Sequence, residues 1–325
     1  MMDKLFLGID TSNYTTSLAV VDTYANLVNR TQQLLTVKAG QRGLRQSEAL
    51  FYHVKNLPEL FGQLSRLVPN LKERIAAVAA TIQPRPTEDS YMPVFLPGDG
   101  LGRTIASLLQ VPFYALSHQE NHIWAGLASA KGPIAQRFLA VHLSGGTSEI
   151  LKVQVTESYG FTTTILGQTQ DLHAGQFVDR LGVALGIQFP AGAAMEKLAQ
   201  ASTKDLVIPS YHKDGIISFA GPETAARRLL GQEEAADICK AVFMTIARTI
   251  TKLIDWAMTK TGLDQVLVVG GVAANQIIRQ HLQKRLPKAD LFFAAPNYST
   301  DNAIGAAYYA GLNYLGQEFY GNVFL

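Results

Sequence analysis

Phe6-Leu7-Gly8-Ile9-Asp10-Thr11-Ser12 runs through Asn13-Tyr14-Thr15-Thr16 into Ser17-Leu18-Ala19-Val20-Val21, and 132 residues later the pattern returns. There Phe138-Leu139-Ala140-Val141-His142-Leu143-Ser144 runs through Gly145-Gly146-Thr147-Ser148 into Glu149-Ile150-Leu151. Each copy reads as an apolar strand, a tight turn of small polar residues, and a second strand. Aromatic, aliphatic and hydroxyl positions recur at matching steps, which favours a duplication over two unrelated hairpins. Two such units, each followed by helical segments, predict an α/β protein of two lobes with a cleft between them.

Working outward, Gln46–Leu67 carries helical periodicity through Leu50, Val54, Leu57 and Leu64, with Pro58 expected to kink or split it. Residues 75–81 form a short apolar strand. Residues 82–103 contain Pro84, Pro86, Pro93 and Pro97 with Gly98, Gly100 and Gly102, and read as a long irregular loop of the kind usually tied to function. Gly132-Pro133 marks the junction between an N-terminal lobe, 1–131, and a C-terminal lobe, 132–325, whose last helix is expected to pack back on the first lobe. Further helices are expected at 175–185, 193–201, 222–230, 233–261, 275–286 and 301–315, and a buried strand at 266–269.

The 325 residues are 47% hydrophobic and 17% charged, against about 25% charged in an average soluble protein, so the chain packs a core and is not disordered. No apolar run reaches the roughly 18 residues needed to cross a bilayer, which excludes a membrane partner of that kind. No signal peptide is expected, because the apolar stretch beginning at Leu5 ends at Asp10. A single cysteine, Cys239, offers neither a disulfide nor a thiolate cluster and suits the cytoplasm, as a buried structural thiol. The net charge of +2 gives no strong field for nucleic acid, so such a partner must be held locally. Arg30, Lys38, Arg42 and Arg45 form one basic stretch and Arg279, Lys284, Arg285 and Lys288 another. Charge runs of this kind are usually solvated faces.

Four constellations carry chemistry. In Ser117-His118-Gln119-Glu120-Asn121-His122, Ser117 and Glu120 make a capping box that starts a helix, placing His118 and His122 one turn apart on one face. Two imidazoles are an incomplete metal site, and a solvated helix face would look the same. Ser144-Gly145-Gly146-Thr147 is a hairpin tip whose backbone N–H groups could grip phosphate, with Thr11-Ser12 at the matching place in the first copy. Val269-Gly270-Gly271 leads through small residues to Asn275, permitting close approach of a flat ligand, but is neither G-x-G-x-x-G nor a P-loop. Thr300-Asp301-Asn302 precedes an apolar helix and is mostly explained as a cap, with Asp301 the best candidate for a third, carboxylate ligand. His53, His142 and His173 read as core or surface histidines.

Taken in order, Gly8-Ile9-Asp10-Thr11-Ser12, His118-x-x-x-His122, Leu143-Ser144-Gly145-Gly146, Ala174-Gly175 with Asp179, Pro190-Ala191-Gly192, Ser218-Phe219-Ala220-Gly221, Gly270-Gly271-Val272-Ala273-Ala274-Asn275 and Thr300-Asp301-Asn302 resemble the tRNA threonylcarbamoyladenosine synthase family, once called O-sialoglycoprotein endopeptidases. The resemblance spans nearly the whole chain. It implies a duplicated, two-lobed actin/hexokinase/Hsp70-like (ribonuclease H-like) ATPase fold with a central nucleotide cleft. It implies one iron or zinc ion on His118, His122 and Asp301, and an adenine nucleotide with its phosphates at Ser144, Gly145 and Gly146. Leu143 and Thr147 flank that tip. Asp179 would meet the ribose, with Gly192, Gly270, Gly271 and Asn275 near the adenosine. The implied reaction moves a threonylcarbamoyl group from its AMP anhydride to N6 of adenosine 37 in tRNA. The implied partners are tRNA and a paralogous subunit or a second copy of the chain.

Departures from the family pattern surround the transferred group. Asn13-Tyr14-Thr15-Thr16 stands where the family has Cys-Asp-Glu-Thr, Thr147 replaces a histidine, Asp171-Leu172 replaces adjacent aspartates, and Gln176 replaces a glutamate. A Gly-Pro-Gly turn becomes Gln83-Pro84-Arg85-Pro86. These changes point to a divergent paralog, one that transfers a different carbamoyl-type group, uses a different acceptor, or serves as a non-catalytic nucleotide-binding scaffold. The retained metal residues argue against the scaffold. A metallopeptidase is disfavoured, since H-E-x-x-H is absent and no carboxylate is expected beside His118 as general base. A sugar kinase of the same fold would not need the histidine pair.

Overall fold

The computed structural model describes residues 3–12, 14–37, 44–156 and 159–324. The first sheet holds β1 (Leu5–Ser12), β2 (Thr15–Asp22), β3 (Leu27–Leu34), β4 (Ile75–Gln83) and β5 (Phe113–Ser117) in the order β3-β2-β1-β4-β5. The second holds β6 (Arg137–Leu143), β7 (Ser148–Val155), β8 (Phe161–Thr169), β9 (Tyr211–Lys213), β10 (Ile216–Ser218), β11 (Gln265–Val269) and β12 (Asp290–Phe293) in the order β12-β11-β6-β7-β8-β10-β9. Replacing β1, β2, β3, β4 and β5 by β6, β7, β8, β11 and β12 turns one order into the other. The directions match too: β1–β2 and β6–β7 are antiparallel hairpins, and β1–β4 and β6–β11 are parallel pairs. The internal echo is therefore a duplicated sheet, with the β9–β10 hairpin added at one edge.

β1, β4, β6 and β11 are almost wholly buried and mostly apolar because both faces are covered. One core joins the two sheets: Phe6 and Ala19 of the first pack with Phe138 and Leu151 of the second, around the helices His118–Ala130 and Ile304–Leu315. The latter helix contacts β1, β2 and β4. A separate core fills the outer layer of the second sheet, built on the long helix Ala235–Thr261. Cys239 lies fully buried there, and burial pushes its thiol up to about 11, so it is chemically quiet.

Three local expectations change. Gln46–Leu67 is one helix despite Pro58, because Pro58 and Val54 lie on its solvent face, where water can satisfy a freed carbonyl. Residues 82–103 are only partly loop: β4 runs to Gln83, Pro93 opens a short 3₁₀ turn, and Pro97 sits in the first turn of the helix Leu96–Leu109. Proline costs nothing at that position, where its N–H has no partner to lose. Gly98 and Gly102 are close-packing residues of that helix, since a Cβ on each would come within 2.8 Å of Thr11 Oγ1 and of the Phe113 ring. The expected helix at 301–315 starts later, at Ile304, because Asp301 and Asn302 form the turn before it.

Candidate metal and nucleotide site

The C-terminal ends of β1, β5, β6 and β11 converge on the cleft between the sheets, the usual ligand-bearing edge of open α/β sheets. β5 passes directly into the helix His118–Ala130, whose start is fixed as the sequence predicts. Ser117 Oγ accepts from Glu120 N at 3.2 Å and Glu120 Oε2 accepts from Ser117 N at 2.8 Å. His118 and His122 thus share one face, their Nε2 atoms 3.1 Å apart. Asp301 Oδ1 lies 3.5 Å from His118 Nε2 and 3.3 Å from His122 Nε2. One donor atom from each of the three falls within 4.8 Å of the others. Two imidazoles and a carboxylate in this arrangement fit a divalent ion such as iron or zinc.

A carboxylate does stand beside His118, contrary to the sequence reading, but it comes from β1. Asp10 Oδ1 is 2.9 Å from His118 Nδ1 and accepts the Thr81 hydroxyl at 2.7 Å. Such a contact orients an imidazole so that its other nitrogen faces a metal. Burial opposes charge on His118, but Asp10 and then Asp301 outweigh it and raise its pKa to about 10. Burial likewise opposes ionisation of Asp301, but the two histidines hold its carboxyl well below the usual range.

Asp301 reaches the histidines because Asn121, buried beside them on the same helix, ties that helix to the turn from Asn302 to Ala306. Its Nδ2 donates to Asn302 O at 2.6 Å and its Oδ1 accepts from Ala306 N at 2.7 Å. Ala303 N donates to Ser17 Oγ at 3.0 Å, tying the same turn to β2. The contact is too close for a side chain at Gly305, whose Cβ would sit 1.9 Å from Asn121 O. Asn121→Ala is expected to lower metal affinity about 10–100-fold while both histidines remain, as loss of a supporting contact does. Calorimetric titration with Zn²⁺ would check this.

The hairpin tip between β6 and β7 is equally constrained. Ser144 N donates to Thr147 O at 2.8 Å, Gly146 N to Ser144 Oγ at 3.3 Å, and Gly175 N to Ser144 O at 3.1 Å. A pocket of about 450 Å³ opens beside it, bordered by Ser144, Gly145, Asp179, Gly192, Gly271 and Asn275, and reaching Asp301. Asp179 Oδ1 accepts from Ala191 N at 2.8 Å, which shapes the Pro190–Gly192 turn, and burial raises its pKa. Asn275 caps the helix Gln276–Arg285 through Oδ1, leaving its buried Nδ2 unpaired. Ser12 Oγ and both His142 ring nitrogens are also buried without partners at this cleft. Unpaired buried polar atoms are costly, and their gathering here suits a ligand.

Not every sequence candidate reaches the cleft. Strand alternation places Thr11 on the opposite face of β1 from Asp10 and Ser12, towards Gly98. Leu143 is a fully buried core residue, and Gly270, at φ +99°, lets the chain pass against the Leu143 carbonyl without bordering the pocket. Gly146 and Thr147 line a smaller adjoining pocket. Arg279 is committed to Ala273 O, Ala294 O and Ser299 Oγ, while Lys284, Arg285 and Lys288 are exposed. Arg30 bonds Asn297 O, and Lys38 and Arg42 lie outside the described residues.

Other residues enter the site unannounced. Tyr14 borders both pockets and meets Phe189 of the other lobe with ring centroids 5.6 Å apart. Burial, then Asp179 and Asp301, raise its pKa. His142 packs its ring 4.7 Å from that of His122, and burial, with the neighbouring histidines, drives its pKa well down. Its strand position marks it as inward-facing, but an isolated histidine in an apolar strand gives no further signal. His173 precedes the helix Ala174–Ala184, its N–H held by Gln176.

His53 is buried against the Thr16 hydroxyl at 2.9 Å, and burial lowers its pKa from 6.5 to about 4, with Asp10 opposing. Because the folded value is depressed, this stability is present above pH 6.5 and is lost as pH falls through 4. The loss is of order 3 kcal/mol. Urea denaturation across that range should show a steeper acid loss in the native chain than in His53→Gln.

Residues 25–308 match the family described as tRNA N6-adenosine threonylcarbamoyltransferase. A tRNA N6-adenosine threonylcarbamoyltransferase of Nitrosomonas europaea is 30% identical over 310 residues, covering 92% of this chain and 89% of that protein. Among solved structures, the Acidaminococcus fermentans (R)-2-hydroxyglutaryl-CoA dehydratase component A aligns at TM-score 0.55 and 17% identity, covering 96% of this chain and 98% of its own. T. kodakarensis HypF aligns at TM-score 0.59 and 14% identity, covering 99% of this chain and 49% of its own. A Streptomyces griseus ROK family glucokinase aligns at TM-score 0.54 and 13% identity, covering 94% and 99%. These likenesses show an actin/hexokinase-like, two-lobed α/β fold. On the sequence match, the chain belongs to the tRNA N6-adenosine threonylcarbamoyltransferase family.

Proposed function

We propose that this chain is an acyltransferase that moves a carbamoyl-type group from an acyl-AMP anhydride to N6 of adenosine 37 in tRNA, by family a threonylcarbamoyl group. The observation that carries the reading is the meeting of His118, His122 and Asp301 with the nucleotide-sized pocket: Asp301 belongs to both. An adenosine in the larger pocket would have Asp179 and Asn275 as polar partners. Its phosphate would lie at the Ser144–Gly146 tip, a turn of small residues held in shape by its own hydrogen bonds and open to close approach. The anhydride carbonyl then falls beside the metal residues. An ion on His118, His122 and Asp301 would supply Lewis-acid polarisation.

The chain's own contribution is alignment and shielding. Asp10 and Thr81 fix His118, Asn121 fixes Asp301, and Tyr14 with Phe189 covers the cleft from both lobes. With donor and acceptor so held, the N6 lone pair attacks the carbonyl carbon, the bond to the phosphate oxygen breaks, AMP departs, and the amine proton passes to water. Holding the two reactants together can account for much of the rate. Of the residues that depart from the family pattern, Tyr14, Thr15, Pro84, Arg85 and Thr147 border the two pockets. Expression in a strain lacking the tRNA-modifying synthase tests the reading: the native chain should restore growth and His118→Ala should not. Failure of both would count against adenosine 37 as acceptor.

A further inference from the structure

Residues 84–92 form a wall of the cleft that neither the metal residues nor the nucleotide pocket uses. The smaller pocket, about 130 Å³, is bordered there by Pro84, Arg85, Met92 and Phe95, and opposite by His118 and Gly146. It shares Tyr14, Ser144, Gly145 and Asp301 with the larger pocket, so the two meet at the hairpin tip. Arg85 borders only the smaller one and is the one arginine or lysine lining either among the described residues.

Its place is built from both lobes. The guanidinium donates to Glu149 Oε2 at 2.8 Å, and Glu149 Oε1 accepts from Gln119 Nε2 at 2.6 Å. Gln119 N donates to Pro84 O at 3.0 Å, and Arg85 N to Ser90 Oγ at 2.9 Å. Glu149 is 1% exposed, whereas the Arg85 side chain keeps 35% of its surface open. A guanidinium has five N–H donors in a fixed fork, and one bond to Glu149 leaves donors for a second oxyanion.

We propose that Arg85 binds a carboxylate at the far end of the transferred group and thereby selects donors that carry one. The proposal rests on the transferase reading. With adenosine in the larger pocket and phosphate at the shared tip, the acyl group continues into the smaller pocket and ends at Arg85. Charge-assisted, paired hydrogen bonds would hold that end and set the carbonyl beside the metal residues.

The test uses metal-loaded protein saturated with AMP and titrated calorimetrically with N-carbamoyl-L-threonine or with its carboxamide. The native chain is expected to bind the carboxylate at least about tenfold more tightly. Arg85→Gln should erase that preference and leave AMP affinity within about twofold. Because Arg85→Gln strands the buried Glu149, the double variant Arg85→Gln, Glu149→Gln serves as a charge-balanced check and should lose the preference equally. AMP binding with no preference in the native chain overturns the proposal alone. So does a loss of AMP affinity in Arg85→Gln, which would give the guanidinium to the phosphate. Absence of AMP binding to the native chain overturns the transferase reading, and the proposal with it.

Discussion

His118→Ala should leave the chain folded and take its metal affinity down by more than about a hundredfold. Losing a supporting contact to a ligand costs about 10–100-fold, and His118 would itself be a ligand, so the effect is larger. The fold survives because the Ser117–Glu120 capping box is untouched and the removed ring is at the first residue of its helix. Asp10 loses one partner but keeps the Thr81 hydroxyl. That costs about 1–3 kcal/mol, against a typical total of about 5–15. Metal analysis after gel filtration, with circular dichroism on the same sample, reads both quantities. Normal metal content in a folded His118→Ala protein would refute the ligand assignment.

Gly175→Ala should do the reverse, weakening nucleotide binding and sparing the metal. A Cβ at Gly175 would stand 2.7 Å from Gly145 Cα and 2.8 Å from Ser144 O, both backbone, so the hairpin tip must move. Alanine is the better helix former by about 1 kcal/mol, which offsets part of the strain, so stability should change little. Displacing the tip would move the surface on which the phosphate is proposed to lie. A misplacement near 1 Å can cost about a hundredfold, and AMP affinity is expected to fall by about 10–100-fold. Zn²⁺ affinity should hold, since His118, His122 and Asp301 do not touch this contact. Equal loss of both ligands would mean that the cleft had collapsed.

What the sequence revealed was local. The repeat is legible because a strand, turn and strand leave a period-two pattern at two places, and the matching sheet orders follow from it. The capping box at Ser117 fixed the register of His118 and His122, and the turn at Asp301 gave a carboxylate of the right kind. Residues that act by long-range contact left no such mark. Asp10 is 108 positions from His118, and Arg85 is 64 from Glu149, so no spacing rule could join them. Thr11 was misplaced because the hydroxyl pair Thr11-Ser12 hides which of the two faces the cleft, and only the pairing of β1 settles that. The glycines and prolines of 93–102 mimicked a loop because glycine for close packing and proline for a helix start look the same in sequence as breakers. The low charge content also has a structural reading: the central strands β1, β4, β6 and β11 are covered on both faces, and the shared core between the sheets leaves less surface to solvate.

Whether this cleft joins an acyl-adenylate to an adenosine amine can be read directly on the tRNA. Purified metal-loaded protein, threonylcarbamoyl-AMP and tRNA lacking the position-37 modification can be incubated together, the tRNA digested, and its nucleosides resolved by mass spectrometry. Threonylcarbamoyl-modified adenosine is expected at position 37, absent with His118→Ala and sharply reduced with Gly175→Ala. Unmodified adenosine from a native chain that binds both metal and AMP would contradict the proposed reaction.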